Sequence, residues 1–162
     1  MNMKKNMRLI CQSLFALCLL CSLSSCLESG LDDLPAYSDA EIISFQFEHR
    51  WEQPIGEGSD NTRLGVISLA TDVRIEGTDI YCTITVPEAG NPSSFTEEIR
   101  ADVRLDRIVG IATISTAATI SPVGNAPVLG KWGDFSQPCT YKVVAADGVT
   151  SKEWTIHCTL VK

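Results

Sequence analysis

The sequence predicts an all-β domain, a sandwich of about seven short antiparallel strands. Three observations point there. Apolar and polar residues alternate in several separate windows, the period of a half-buried strand. Clusters of Gly, Pro, Asn, Asp and Ser separate those windows. No segment of the body sustains an apolar stripe at the helical period of 3.6 residues. The chain has 162 residues, 44% hydrophobic and 20% charged. That is an ordinary globular composition of about one domain's length, which argues against general disorder, collagen and coiled coil.

The domain is expected over residues 40–162. From Glu41 to Glu48, Ile43, Phe45 and Phe47 share one face and Ser44, Gln46 and Glu48 the other. Residues 52–62 read as a polar, Gly-rich loop. Two short strands follow at 64–70 and 73–76, then a turn at Glu76-Gly77-Thr78-Asp79. Ile80 to Val86 is a strand that Pro87 stops, with a loop from Glu88 to Ser94. Phe95 to Arg107 is ambiguous by period, and a strand is the expectation. Residues 108–116 and 118–122 are β-branched, extended pieces. A long loop runs from Val123 to Pro138. Tyr141 to Ala146 and Glu153 to Val161 form the last two strands around Asp147-Gly148, the strongest turn signal in the chain. A body of this size buries roughly two-thirds of its unfolded surface, enough for a core without staples.

The first 25 residues read as an address. Lys4, Lys5 and Arg8 precede an apolar run from Leu9 to Leu23. A basic start and an apolar core of this length make a secretory signal peptide, and a spanning helix needs nearer 20 apolar residues. Leu23-Ser24-Ser25-Cys26 resembles the bacterial lipobox; the alternative is an ordinary signal peptide that happens to contain a cysteine. The resemblance implies cleavage before Cys26, a diacylglycerol thioether on its sulfur and acylation of the new amino terminus. Several acyl chains make a stable membrane anchor. Residues 26–39 then form the lipidated cysteine and a flexible, acidic tether. Its acids Glu28, Asp32 and Asp33 loosely resemble surface-export signals on Bacteroidetes lipoproteins, which implies an outer-membrane, surface-exposed location; the alternative is simple solvation of a linker. The whole chain carries a net charge of −7, and loss of the three signal-peptide cations leaves ten basic against 20 acidic residues. Such a body suits neither nucleic acid nor anionic headgroups, so the anchor must hold it at the membrane.

A wider resemblance lies in the second half. Ala118-Thr-Ile-Ser-Pro122, Asp134-Phe-Ser-Gln-Pro138, Tyr141-Lys-Val-Val-Ala-Ala-Asp-Gly148 and Trp154-Thr-Ile156 are similar to the immunoglobulin-like domains of unknown function on Bacteroidetes surface lipoproteins. Ile84-Thr-Val-Pro87 fits the same habit. The resemblance covers about Ile42 to Leu160 and is weaker in the first half, where the 52–62 segment is longer. It implies an immunoglobulin-like sandwich, often near polysaccharide-utilisation machinery, and no catalytic residues. The local physics is separate. Asp147 and Gly148 tolerate a tight hairpin, and Asp134 can close an Asx-turn that lets Phe135 enter the core.

Seven cysteines occur. Cys11, Cys18 and Cys21 leave with the signal, Cys26 is lipidated, and Cys82, Cys139 and Cys158 remain. A hairpin tip at Gly148 and Val149 sets Cys139 opposite Cys158, close enough for a disulfide. The alternatives are a longer loop that shifts the register, or three small buried hydrophobes.

Little else suggests chemistry. Neither His49 nor His157 has metal or triad spacing, and His157 is expected at the solvent or an edge. Glu97, Glu98 and Asp102 read as surface acids rather than a catalytic carboxylate pair. Asp60, Asn61 and Asp72 lack the alternating oxygen spacing of a calcium loop. No cofactor motif occurs. Trp132, in Leu129-Gly-Lys-Trp-Gly-Asp134, and Trp51 are the candidate ligand contacts, because an exposed indole stacks on the apolar face of a sugar ring; alternatively Trp132 caps the open end of the sandwich. Trp154 belongs to the core. The expected function is a non-catalytic, lipid-anchored binding or accessory module, contacting a glycan or a glycan-uptake complex. The other reading is a structural or adhesive module that meets an envelope protein through a strand edge.

Overall fold

A computed structural model describes residues 36–56 and 60–162. The expected signal peptide, Cys26 and most of the expected tether lie outside them. The described chain is all-β. The strands are β1 (Ile42–Pro54), β2 (Thr62–Glu76), β3 (Asp79–Thr85), β4 (Ile108–Ile114), β5 (Thr119–Val123), β6 (Trp132–Gly133), β7 (Cys139–Val144) and β8 (Ser151–Val161). A short helix, α1 (Glu97–Asp102), and a 3-10 turn at Leu105–Arg107 link β3 to β4.

The strands form one hydrogen-bonded order, β5-β7-β8-β3-β2-β1-β4-β6. The expectation was an antiparallel immunoglobulin-like sandwich. Instead, one continuous mixed sheet curls into a half-barrel, and β3 runs parallel to β8. Strand β2 makes the curl. Residues 62–69 pair with β1, and residues 70–76 pair with β3. One long strand therefore replaces the two short ones expected, and it carries the sheet from one half to the other.

The curled sheet wraps a single core. Alternation along β1 turns Phe45, Phe47, His49 and Trp51 inward. Ile80, Cys82 and Ile84 of β3, Tyr141 and Val143 of β7, and Trp154 and Ile156 of β8 meet them. Phe47 and Phe135 pack edge to face, with ring centroids 5.1 Å apart. Gly110 leaves room for this pair, since a Cβ there would lie 2.6 Å from Phe135 Cζ. Trp154 Nε1 donates to Ala40 O over 3.0 Å, satisfying its polar edge inside the core.

Two local expectations hold. Ser136 N donates to Asp134 Oδ1 over 2.8 Å, closing the Asx-turn, and Phe135 is buried. Asp147 Oδ1 accepts from Val149 N and Thr150 N, while Gly148 takes φ +69° in the β7–β8 turn.

Phe95 to Arg107 is not a strand. Thr96 ends its extended run as an N-cap, its hydroxyl accepting from Ile99 N over 3.4 Å. Glu97 and Glu98 lie in the first turn, where the helix dipole favours acids. Ile99 and Val103, one turn apart, face the core. The loop expected at 52–62 is also shorter. Ile55 N donates to Asn61 O over 2.8 Å, so the β1–β2 hairpin extends well beyond Glu48.

Candidate functional site

Trp132 is the sequence-selected residue that reaches solvent. It is 45% exposed and lies directly opposite Val109 across β4 and β6. Directly opposed residues share a face of the sheet. Val109 in turn faces Glu48 on β1, and Glu48 faces Ser68 on β2. Four strands thus set Ser68, Glu48, Val109 and Trp132 in one cross-strand row, in which Val109 is fully buried and the Glu48 side chain is 15% exposed. The neighbouring rows add Gln46 beside Ile111, and Arg50 beside Val66. Ile111 and Val66 are exposed.

The Trp132 loop is tied down. Gly130 N donates to Gly110 O over 2.9 Å. Arg50 Nη1 donates to Gly130 O over 2.9 Å, and the same guanidinium pairs with Glu48. The Arg107 guanidinium carbon lies 5.5 Å from the Trp132 ring centroid, within cation–π range. Both arginines hold the indole platform in place, one through its loop and one through its ring.

Next to that row the sheet opens. At Leu69 strand β2 leaves β1 for β3. The split leaves a cleft of about 330 Å³, lined by Gln46, Glu48, Ser68, Thr71 and Ile111 above Phe47 and Leu69. Strand spacing puts Glu48 roughly 10 Å from Trp132, two strands away. The face therefore offers an aromatic platform at one end and hydroxyl, amide and carboxylate groups at the other. Sequence alternation already placed Gln46 and Glu48 on the polar side of β1. Nothing in the linear order indicated Ser68, Thr71 or Arg107, which pairing and packing bring in.

The other sequence candidates separate. Trp51 is not a surface contact. It continues the inward alternation of β1, is 8% exposed, and packs against Phe95 with centroids 5.7 Å apart. Gly65 opposite it is needed for space, because a Cβ there would collide with the indole. His49 is also buried, stacked 6.1 Å from Trp51. Burial holds its pKa below the usual histidine value, with Arg107 and Lys162 acting in the same direction and Asp102 opposing. His157 lies on the outer face of β8. It pairs with Asp79 over 2.8 Å and stacks on Tyr81 at 4.8 Å. Glu97, Glu98 and Asp102 are exposed on α1. Among the described residues, no group of three or more His, Cys, Asp or Glu gathers to hold a metal.

The cysteine pairing is also corrected. Cys139 lies opposite Ile156, not Cys158, because the β7–β8 turn is centred between Asp147 and Gly148, one residue before the expected tip, which shifts the register by two. Cys82, Cys139 and Cys158 are free thiols. Cys158 instead stands beside Cys82, in register across the parallel seam.

Comparison with known proteins agrees with an all-β reading. No curated protein matches the chain. The crystal structure of a candidate secreted protein from Bacteroides fragilis is similar over 79% of this chain and 100% of that one, with 33% identity and a TM-score of 0.70. A candidate glycoside hydrolase from Bacteroides thetaiotaomicron is 20% identical, covering 82% of this chain and 28% of that one, with a TM-score of 0.46. That likeness is too distant to carry an argument. Residues 42–157 match the model of the DUF5018-related family, and with this span matched the chain belongs to that family.

Proposed function

We propose that this chain is a non-catalytic, lipid-anchored binding protein of the bacterial cell envelope, and that it takes a glycan on the outer face around Trp132. The observation that carries the reading is exposed Trp132, set in one cross-strand row with Glu48 and Ser68, with the cleft beside it. The apolar C–H face of a sugar ring stacks on an indole, and its hydroxyls need donors and acceptors at the rim. A span of roughly 10 Å between platform and cleft suits about two sugar rings. The arginine ties at Gly130 and the Trp132 ring fix the platform before any ligand arrives, which reduces the ordering cost of binding. The similarity to a candidate secreted protein and the Leu23–Cys26 pattern support an envelope location.

Residues 36–162 carry the whole described core and can be run through native gels containing plant, host and microbial polysaccharides. The expected result is retardation by one glycan class, weakened about tenfold by Trp132→Ala, the loss of one aromatic stacking contact. Retardation that survives Trp132→Ala unchanged, or none on any glycan, removes the reading. A second reading is favoured by one feature: β6 covers β4 only at Ile108 and Val109, so the rest of the β4 outer edge has no partner strand among the described residues. Such an edge can accept a strand from an envelope protein. Cross-linking to a protein that is indifferent to Trp132→Ala selects this alternative.

A further inference from the structure

We propose that Cys82 and Cys158 form a disulfide that staples β3 to β8. The two residues are directly in register across the parallel seam, between Ile80–Ile156 on one side and Ile84–Leu160 on the other. Both point inward, since Ile80, Cys82 and Ile84 alternate to the core and their β8 partners share that face. Cys82 is 2% exposed and Cys158 is half-buried. Neighbouring strands lie about 4.8 Å apart. That spacing falls within the Cα separation of roughly 4.4–6.8 Å that a disulfide spans. The thiols also interact with one another. The hydrogen bond from Cys158 holds the Cys82 thiol below its usual pKa, and the same bond pushes Cys158 up. Cys139 is the third thiol, but its own strand position faces Ile156.

The site of the staple gives it a purpose. Strand β8 joins the β7–β5 end of the sheet to β3, and among the described residues the parallel pair is where the β1–β3 strands meet the β5, β7 and β8 strands. A covalent bond there closes a long loop and restricts the unfolded chain. The chemistry needs an external disulfide as oxidant, either a small-molecule disulfide or a dithiol oxidase of the envelope. One of the two thiols loses its proton and bonds one sulfur of the external disulfide, whose other sulfur leaves as thiolate. The partner sulfur then loses its proton to solvent, attacks the bonded cysteine sulfur and expels the remaining external thiolate. Two protein thiols are oxidised to one disulfide, and one external disulfide is reduced to two thiols. The oxidising surroundings in the cell rest on the envelope location proposed above. Reactivity toward oxidised glutathione in the purified chain does not.

The test is peptide mapping of the full chain, incubated with oxidised glutathione, quenched in acid, alkylated and digested. The expected product is a cross-linked peptide pair carrying Cys82 and Cys158, with Cys139 alkylated. Cys139→Ser retains the cross-link. Cys82→Ser loses it and leaves Cys158 alkylated or glutathionylated. Full alkylation of both Cys82 and Cys158 after oxidation overturns the proposal, as does a link from either of them to Cys139. Circular dichroism of the variants before oxidation separates loss of the bond from loss of the fold.

Discussion

Gly110 shows how a single hydrogen can hold a core open. Two rings meet over its backbone, and a methyl group would lie 2.6 Å from Phe135 Cζ and 3.0 Å from Phe45 Cε1. Both rings are buried, so neither can swing into solvent. Gly110→Ala is expected to destabilise the fold by about 1–3 kcal/mol, the usual cost of overpacking, read from the denaturant midpoint. His49 supplies a second effect at this scale. Burial lowers its folded-state pKa, so the unfolded chain takes up the proton first as pH falls. Stability is then constant above about pH 6.5 and declines below it, by at most about 1.4 kcal/mol per pH unit until the folded-state value is reached. Denaturant curves for wild type and His49→Phe between neutral and mildly acid pH test this. The decline should be shallower in the variant, and parallel curves would assign it to other groups.

At the scale of the element, helix α1 illustrates a local signal hidden by a global pattern. Thr96 followed by Glu97 and Glu98 is a helix start that was present in the sequence. The all-β surroundings and the uninformative spacing of Ile99, Val103 and Leu105 favoured a strand instead. Thr96→Ala removes the oxygen that accepts from Ile99 N and is expected to cost about 1 kcal/mol, measured by thermal or denaturant unfolding. The β7–β8 hairpin carries the opposite lesson. Asp147-Gly148 marked the turn, but the pairing register depended on where the turn is centred. A centre between Asp147 and Gly148 puts Cys139 beside Ile156 and frees Cys158 for a different neighbour. A one-residue displacement of the turn's centre thus moved the register by two and changed which thiols meet.

For the whole molecule, the decisive feature is the passage of β2 from one half of the sheet to the other. It closes the core, sets β3 against β8, and opens the cleft beside Glu48 and Ser68. The proposed anchor also acts at this scale. Cys26→Ala is expected to shift the protein from the membrane fraction to the soluble envelope fraction, since the acidic body has little attraction for anionic lipid. Fractionation and immunoblotting of cells expressing each form would show it, and retention of the variant in the membrane would point to a protein tether instead.

By itself the sequence determined what is local. Period-two alternation indicated the inward residues of β3, β7 and β8, including the burial of Trp154, and those of β1 from Phe45 onward; Ile43, expected beside Phe45, is exposed because a β-bulge between Ile42 and Ser44 turns Ile42 inward instead. Asp134 and Asp147 set two turns through side-chain oxygens that accept from backbone N–H groups two or three residues on. The same alternation, continued past Glu48, already pointed Trp51 inward, but the strand's true length was invisible without its partner β2. Tertiary structure alone decided which strands become neighbours. Alternation specifies a face, but it carries no information about the strand across the gap. The parallel β3–β8 seam, the Cys82–Cys158 pair and the row from Ser68 to Trp132 all follow from long-range pairing that closes one core at least cost in exposed apolar surface.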